Sequence, residues 1–151
     1  MIIFNSMTKE IICLMAFICL SGCGTDDSNR INANNPYLNT PLVNLSLNLN
    51  LPQYNLLKYP GNYLVLSNQG LKGVVVYNVN NSLYTAFDLA DPNHTPSSCS
   101  MMTLQGVIAQ CACNDNNSYD IVTGQHQNDP QTYPMLAYRI TRSGDNLNIT
   151  N

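Results

Sequence analysis

Leucine occupies every second position from Leu45 to Leu51, with Ser46, Asn48 and Asn50 between. That period of two places the leucines on one face of a half-buried strand and leaves the polar residues in water. Pro52 ends the run, because proline has no N–H to give to a ladder. Further β-prone runs follow, each behind a group of turn formers: Tyr63 to Leu66 after Pro60-Gly61-Asn62, Val74 to Val79 after Gly70 to Gly73, and Leu83 to Phe87 after Asn80-Asn81. Val107 to Ala109, Tyr119 to Val122, Leu136 to Ile140 and Leu147 to Ile149 continue the series, and Ser143-Gly144-Asp145-Asn146 reads as a hairpin turn between the last two. No long helical period and no internal repeat interrupts them. Many short strands joined by Gly, Pro and Asn turns predict an all-β sandwich or small barrel. The stretch from Asp88 to Cys113 is the least strand-like and holds His94, Cys99, Cys111 and Cys113, so any chemistry is expected there.

Before the first strand the pattern is different. Lys9 precedes an apolar run from Ile11 to Leu20 that is too short to span a bilayer comfortably and reads as a cleaved targeting segment. The run ends in Leu20-Ser21-Gly22-Cys23, which resembles the bacterial lipobox. The resemblance implies a lipoprotein signal peptide over residues 1–22 and lipidation of Cys23. Several acyl chains, at about 0.8 kcal/mol per buried methylene, would hold such a protein on its membrane. The following Gly24-Thr25-Asp26-Asp27 resembles the surface-export signal of Bacteroidota lipoproteins, which implies the outer membrane, on its periplasmic or surface face. Residues 23–40, rich in Asn, Ser, Thr and Pro, read as the lipidated cysteine and a flexible linker, and residues 41–151 as the β domain.

The chain has 151 residues, of which 44% are hydrophobic and 10% charged, a composition that suits one compact domain rather than two. The formal net charge of -3 comes with no basic run or stripe, which argues against a nucleic-acid partner. No glutamate follows Glu10, and no paired carboxylates, nucleophile elbow or glycine-rich phosphate loop stand out, so enzyme activity has no support in these residues. Signal removal would take Cys13 and Cys19, and lipid would consume Cys23, leaving Cys99, Cys111 and Cys113 in the domain. In an oxidising envelope two of these can pair and one stays a thiol.

From about Gly61 to the C-terminus the order of features resembles a Rieske iron–sulfur domain. Val74-Val75-Val76-Tyr77 and Leu83 to Asp88 match the hairpin before the first cluster loop, and Gly106 to Cys111 matches the strand entering the second. Ser118-Tyr119-Asp120-Ile121-Val122-Thr123-Gly124 matches the family's Ser-aromatic-Asp segment ending in Thr-Gly. Asp129-Pro130 and Tyr133 to Ile140 match its proline loop and final strands. The resemblance implies an antiparallel β-sandwich or small barrel with two cluster-type loops. It also implies ligand positions, since a Rieske cluster needs two thiolates on one iron and two imidazoles on the other. At those positions this chain has Asp91 for cysteine, Asn93 for histidine with His94 one residue late, Cys111 as the second cysteine, and Asn114 for the second histidine. The second loop is also about one residue longer than the family pattern. Asparagine is a poor substitute for imidazole at iron, and carboxylate is harder than thiolate, so an ordinary cluster is not expected. Respiratory-type members carry a further cysteine in each loop, paired over the cluster, and Cys99 and Cys113 resemble that pair.

The sequence therefore leads to a lipid-anchored envelope protein with a Rieske-like domain, a Cys99–Cys113 bridge, no cofactor, and a role in binding or structure. The alternative is electron transfer through an unusual 2Fe-2S cluster, for which any metal would call on His94 and Cys111. A third reading is an adhesion or assembly subunit. A zinc set of His94, Cys99, Cys111 and Cys113 is chemically adequate, although its Cys-x-Cys spacing is unlike that of zinc knuckles. Without metal, His94 and His126 read as loop residues and Cys111 as a buried inert thiol, there being no basic neighbour in sequence to activate it. Tyr37, Tyr54, Tyr59 and Tyr133 are expected to be exposed and could meet an envelope protein or a glycan, each combining a large contact area with a hydroxyl.

Overall fold

The computed structural model describes residues 35–151, so Cys23, the segment before it and the acidic pair lie outside the described residues. Among the described residues nine strands follow one another: β1 Asn44–Asn48, β2 Tyr63–Leu66, β3 Val74–Asn78, β4 Tyr84–Asp88, β5 Thr103–Gln105, β6 Ile108–Gln110, β7 Ser118–Asp120, β8 Arg139–Ser143 and β9 Asn146–Thr150, with one 3-10 turn at Asn55–Lys58. They form three antiparallel sheets of three strands, in the orders β1-β9-β8, β2-β3-β4 and β5-β6-β7. The all-β class expected from the sequence is the class observed. Among the described residues no helix is long and apolar enough to cross a membrane.

The sheet β2-β3-β4 lies at the centre and is covered on both faces. Along β3, Val74 and Val76 pack into one core with Leu47, Leu57, Tyr84, Ala86, Leu147 and Ile149. Val75 and Tyr77 pack into a second core with Phe87, Leu89, Met102, Ala109, Tyr119 and Ile121. The same alternation runs along β2, where Leu64 and Leu66 join the first core and Tyr63 and Val65 the second. Successive side chains of a strand point to opposite faces, so a strand covered on both sides reads as a continuous apolar run, as Val74-Val75-Val76-Tyr77 does. The first core joins the central sheet to β1-β9-β8, and the second joins it to the β5-β6-β7 sheet that carries the candidate site. Thr85 Oγ1 adds a 2.7 Å hydrogen bond from β4 to the carbonyl of Ile121.

The leucine strand is shorter than its pattern. Leu47 and Leu49 are buried, but Leu51 is 43% exposed, because the chain turns after Asn48. The Asn48 side chain accepts from the Asn50 N–H at 2.9 Å, and the Leu51 N–H closes the turn on the Asn48 carbonyl at 3.0 Å. Strand β5 was not expected, since three residues with partly exposed side chains carry no readable period. The hairpin turn at Ser143–Asn146 is present, with Ser143 facing Asn146 and Gly144 at φ +59°. Leu38, in the stretch read as linker, is buried in the first core, and Asn35 donates to the carbonyl of Pro92 at 2.8 Å.

A buried carboxylate fixes the approach to the site. Asp88, at the end of β4, accepts from the N–H groups of Leu71, Lys72 and Ala90 and from the Tyr138 hydroxyl, at 2.6 to 3.1 Å. The burial of Tyr138 and the adjacent Asp88 push its phenol well above its ordinary pKa. Four donors satisfy a group that would otherwise cost several kcal/mol to bury, and they set the direction of the chain as it leaves β4.

Two glycines separate backbone strain from crowding. Gly124 and Gly106 have positive φ, +76° and +62°, but a Cβ on Gly124 would meet the Phe87 ring at 2.6 Å, whereas one on Gly106 meets nothing within 4 Å. Gly124→Ala should therefore lower the unfolding free energy in urea by about 2–4 kcal/mol, and Gly106→Ala by only about 1 kcal/mol.

Candidate functional site

Two loops leave the scaffold side by side. The first runs between Leu89 and Met102. Its base is closed by an antiparallel bridge between Ala90 and Met101, by Met102 N–H on the Leu89 carbonyl at 2.8 Å and by Asp91 N–H on the Ser100 carbonyl at 3.0 Å. The second joins β6 to β7 and is closed by Cys111 N–H on the Asn117 carbonyl at 2.9 Å, with Asn116 in the left-handed region at φ +58°. Cys99 and Cys113 are disulfide-bonded across the loops, with Cα atoms 5.1 Å apart and a separation of 14 positions in sequence. This is the pair that the resemblance implied, and closing a loop of that size contributes about 3 kcal/mol in the chain-entropy model.

Asp91 is fully buried between the loops. Its Oδ1 accepts from the Tyr119 hydroxyl at 2.8 Å and from the Asn93 N–H at 2.9 Å, and its Oδ2 accepts from Asn117 Nδ2 at 3.0 Å. Tyr119, on β7, is itself fully buried, and burial together with the neighbouring Asp91 pushes its phenol well above the ordinary value. Asn93 donates from Nδ2 to the Tyr119 oxygen and to the Tyr133 carbonyl, both at 2.8 Å, and accepts the Tyr133 N–H at 2.9 Å. The amide thus stitches the first loop to β7 and to the proline loop.

His94 and Cys111 face each other beside this network. His94 Nδ1 lies 3.0 Å from the Thr95 carbonyl oxygen. Its Nε2 lies 3.2 Å from Asp115 Oδ2, 3.4 Å from Cys111 Sγ and 3.5 Å from Asp91 Oδ2. Cys111 is a free, buried thiol whose sulfur lies 3.5 Å from Asp115 Oδ2 and accepts the Cys113 N–H at 3.4 Å. Burial, and after it Asp91 and Asp115, push the thiol up to about 12, against the opposing pull of the Cys113 N–H. The thiol expected from the sequence to be buried is buried.

Other site expectations are corrected. His126 is not a solvated loop residue: its ring packs edge-on against Tyr119 at 5.1 Å between centroids. His126 Nδ1 accepts the N–H groups of Asn128 and Asp129, and its buried Nε2 has no partner among the described residues. The zinc set of His94, Cys99, Cys111 and Cys113 is overturned by the disulfide, which consumes two of its thiols. Asn114 is exposed on the second loop. Of the four tyrosines, Tyr37 and Tyr59 are exposed, while Tyr54 packs half-buried on the first core and Tyr133 is half-buried with its ring edge-on to Tyr37. Asp115 and Asn117 were missed, because in Asn114-Asp115-Asn116-Asn117 they look like ordinary turn formers.

Among the described residues the two thiolates and two imidazoles of a Rieske cluster are not brought together. Cys111 is the only free thiol among the described residues, and of the two imidazoles only His94 approaches it. Asp91 and Asn93, at two of the four ligand positions, offer a carboxylate and a neutral amide in place of thiolate and imidazole, and they hydrogen-bond to Tyr119, Asn117 and Tyr133.

The raised thiol gives a direct check. A group whose pKa is higher in the fold than in the unfolded chain favours the folded state below the unfolded pKa and loses that contribution as pH rises through the folded value. The window for Cys111 runs from 9.0 to about 12. Metal-free protein should show almost no alkylation by iodoacetamide at pH 8–9 while folded, one alkylated thiol in denaturant, and three after reduction in denaturant, counting residues 35–151 and read by mass spectrometry.

No family model matches the chain, and no curated protein matches it. Solved structures are similar to it at low identity. One is a complex of reduced oxygenase and oxidized ferredoxin in carbazole 1,9a-dioxygenase, with a TM-score of 0.45 and 18% identity over 74% of this chain and 94% of that one. Another is a ferredoxin of carbazole 1,9a-dioxygenase from Nocardioides aromaticivorans, with a TM-score of 0.41 and 17% identity over 61% and 86%. A Sphingomonas yanoikuyae ferredoxin gives a TM-score of 0.41 and 22% identity over 62% and 88%. At these scores and identities the likenesses say nothing of what this chain binds or does.

Proposed function

We propose that this chain is a lipid-anchored cell-envelope protein whose Rieske-like domain has lost the 2Fe-2S cluster and serves a binding or structural role. The observation that carries this reading is the use made of the ligand positions. Asp91 and Asn93 are tied into hydrogen bonds joining both loops and the proline loop. Those bonds do the mechanical work of a cluster without its electrons. The anchor is the lipid on Cys23, with the outer membrane as its site. The exposed Tyr37 and Tyr59 give a partner protein or glycan aromatic surface with hydroxyl groups. No nucleic-acid partner and no catalysis are proposed, since the surface chemistry for neither is present in the sequence.

Electron transfer through an unusual 2Fe-2S centre is the competing reading, and the 3.4 Å approach of His94 to Cys111 is what speaks for it. Its remaining donors would be carboxylates, which iron–sulfur centres do not favour. Iron and acid-labile sulfide analysis of protein purified without oxygen separates the two. The proposal expects only traces of both in the unaltered protein and in Cys111→Ala. Near-stoichiometric iron and sulfide, lost in Cys111→Ala, would make this a redox protein.

A further inference from the structure

We propose that His94, Cys111, Asp115 and Asp91 form a mononuclear site for one divalent transition metal of the zinc class. The first argument is the orientation of His94. A carbonyl oxygen can only accept, so the contact to Thr95 takes Nδ1 as donor and turns the Nε2 edge of the ring inward. That edge meets the oxygens of Asp115 and Asp91 and the sulfur of Cys111, so one nitrogen, one sulfur and two carboxylates converge on a common point. An imidazole whose second nitrogen donates to a backbone carbonyl is also the usual form of a metal-bound histidine.

The spacing is the second argument. A tetrahedral zinc, with bonds of about 2.0–2.3 Å, holds its ligand atoms about 3.3–3.6 Å apart. Here Nε2 lies 3.2 Å from Asp115 Oδ2, 3.4 Å from Cys111 Sγ and 3.5 Å from Asp91 Oδ2, and Cys111 Sγ lies 3.5 Å from Asp115 Oδ2. Nε2, Cys111 Sγ and Asp115 Oδ2 are therefore already separated from one another as they would be around a metal, with Asp91 Oδ2 at a like distance from Nε2.

Charge and support complete the case. Among the described residues no lysine or arginine pairs with Asp91 or Asp115. Asp91 is held by Tyr119 and Asn117, and the Cys111 sulfur by the Cys113 N–H, so these two ligands are oriented by partners of their own. His94 and Asp115 keep 26% and 28% of their side-chain surface exposed, which leaves a path from solvent. On binding, Nε2 and the carboxylates give lone pairs to the metal, and the thiol gives its sulfur pair and releases its proton to water. The disulfide withholds a second thiolate. The resulting set of one sulfur, one nitrogen and two oxygens suits zinc or cobalt rather than iron–sulfur chemistry.

Cobalt is the probe. Chelator-treated full chain with its disulfide intact is titrated with Co²⁺ without oxygen. The site predicts one equivalent bound, a thiolate-to-cobalt charge-transfer band, intense visible bands of tetrahedral cobalt, and displacement by Zn²⁺. Cys111→Ser should abolish the charge-transfer band, His94→Gln and Asp115→Asn should each weaken binding at least about tenfold, and Asp145→Asn should leave it unchanged. X-ray absorption of the cobalt-loaded unaltered protein, which needs no variant, should show one sulfur at about 2.3 Å among nitrogen and oxygen neighbours. No charge-transfer band, a band that survives Cys111→Ser, or a cobalt shell without sulfur would overturn the site. Acid-labile sulfide tests the loss of the cluster separately, so the two proposals fail on different measurements.

Discussion

A carboxylate with no exposed surface must find its donors inside the protein, and the arrangement of both loops follows from how Asp91 finds them. Tyr119 reaches it from β7, Asn117 from the end of the second loop, and the Asn93 N–H from its own loop. A hydrogen bond to a charged group contributes about 1.5–3 kcal/mol, and a buried charge deprived of its partners costs more. Separating the loops would strip Asp91 of two of its three donors at once. The same carboxylate keeps Oδ2 beside His94, so the group that joins the loops also shapes the cluster of donor atoms between them.

This arrangement depends on a scaffold that delivers the loops to a fixed place. The central sheet is apolar on both faces and so binds the terminal sheet on one side and the loop-bearing sheet on the other. Asp88, with its own four donors, orients the exit of β4 three residues before Asp91 takes up the contact with the second loop. Two buried carboxylates three positions apart thus act in sequence, one at the base of the loop and one at its centre. The Cys99–Cys113 bridge then holds the outer edge.

Much of the scaffold was legible because period two is a direct consequence of strand geometry. Tyr63–Leu66 is reproduced residue for residue, and Gly144-Asp145 turns the last hairpin as its composition requires. Strand ends were less legible, since Asn48 turned the chain with a side-chain hydrogen bond that no hydrophobic pattern encodes. At the site, Cys111 and the bridge followed from the resemblance, and the failure of the ligand pattern marked Asp91 and Asn93 as unusual. What Asp91 and Asn93 do instead was hidden, because their partners Tyr119 and Tyr133 lie 26 to 40 positions away and one of the contacts uses backbone. Asp115 carried no signal at all: in a run of asparagines it is indistinguishable from a turn residue until the fold places it beside His94.

The account rests on the claim that Asp91 and Tyr119 join the two loops by a hydrogen bond that matters energetically. A double-mutant cycle in urea unfolding, with Asp91→Asn, Tyr119→Phe and the pair, isolates that bond from the other contacts of each residue. The account predicts a coupling energy of about 1.5–3 kcal/mol. A coupling within about 0.5 kcal/mol of zero would mean that the loops are held by the disulfide and apolar packing alone, and would contradict it.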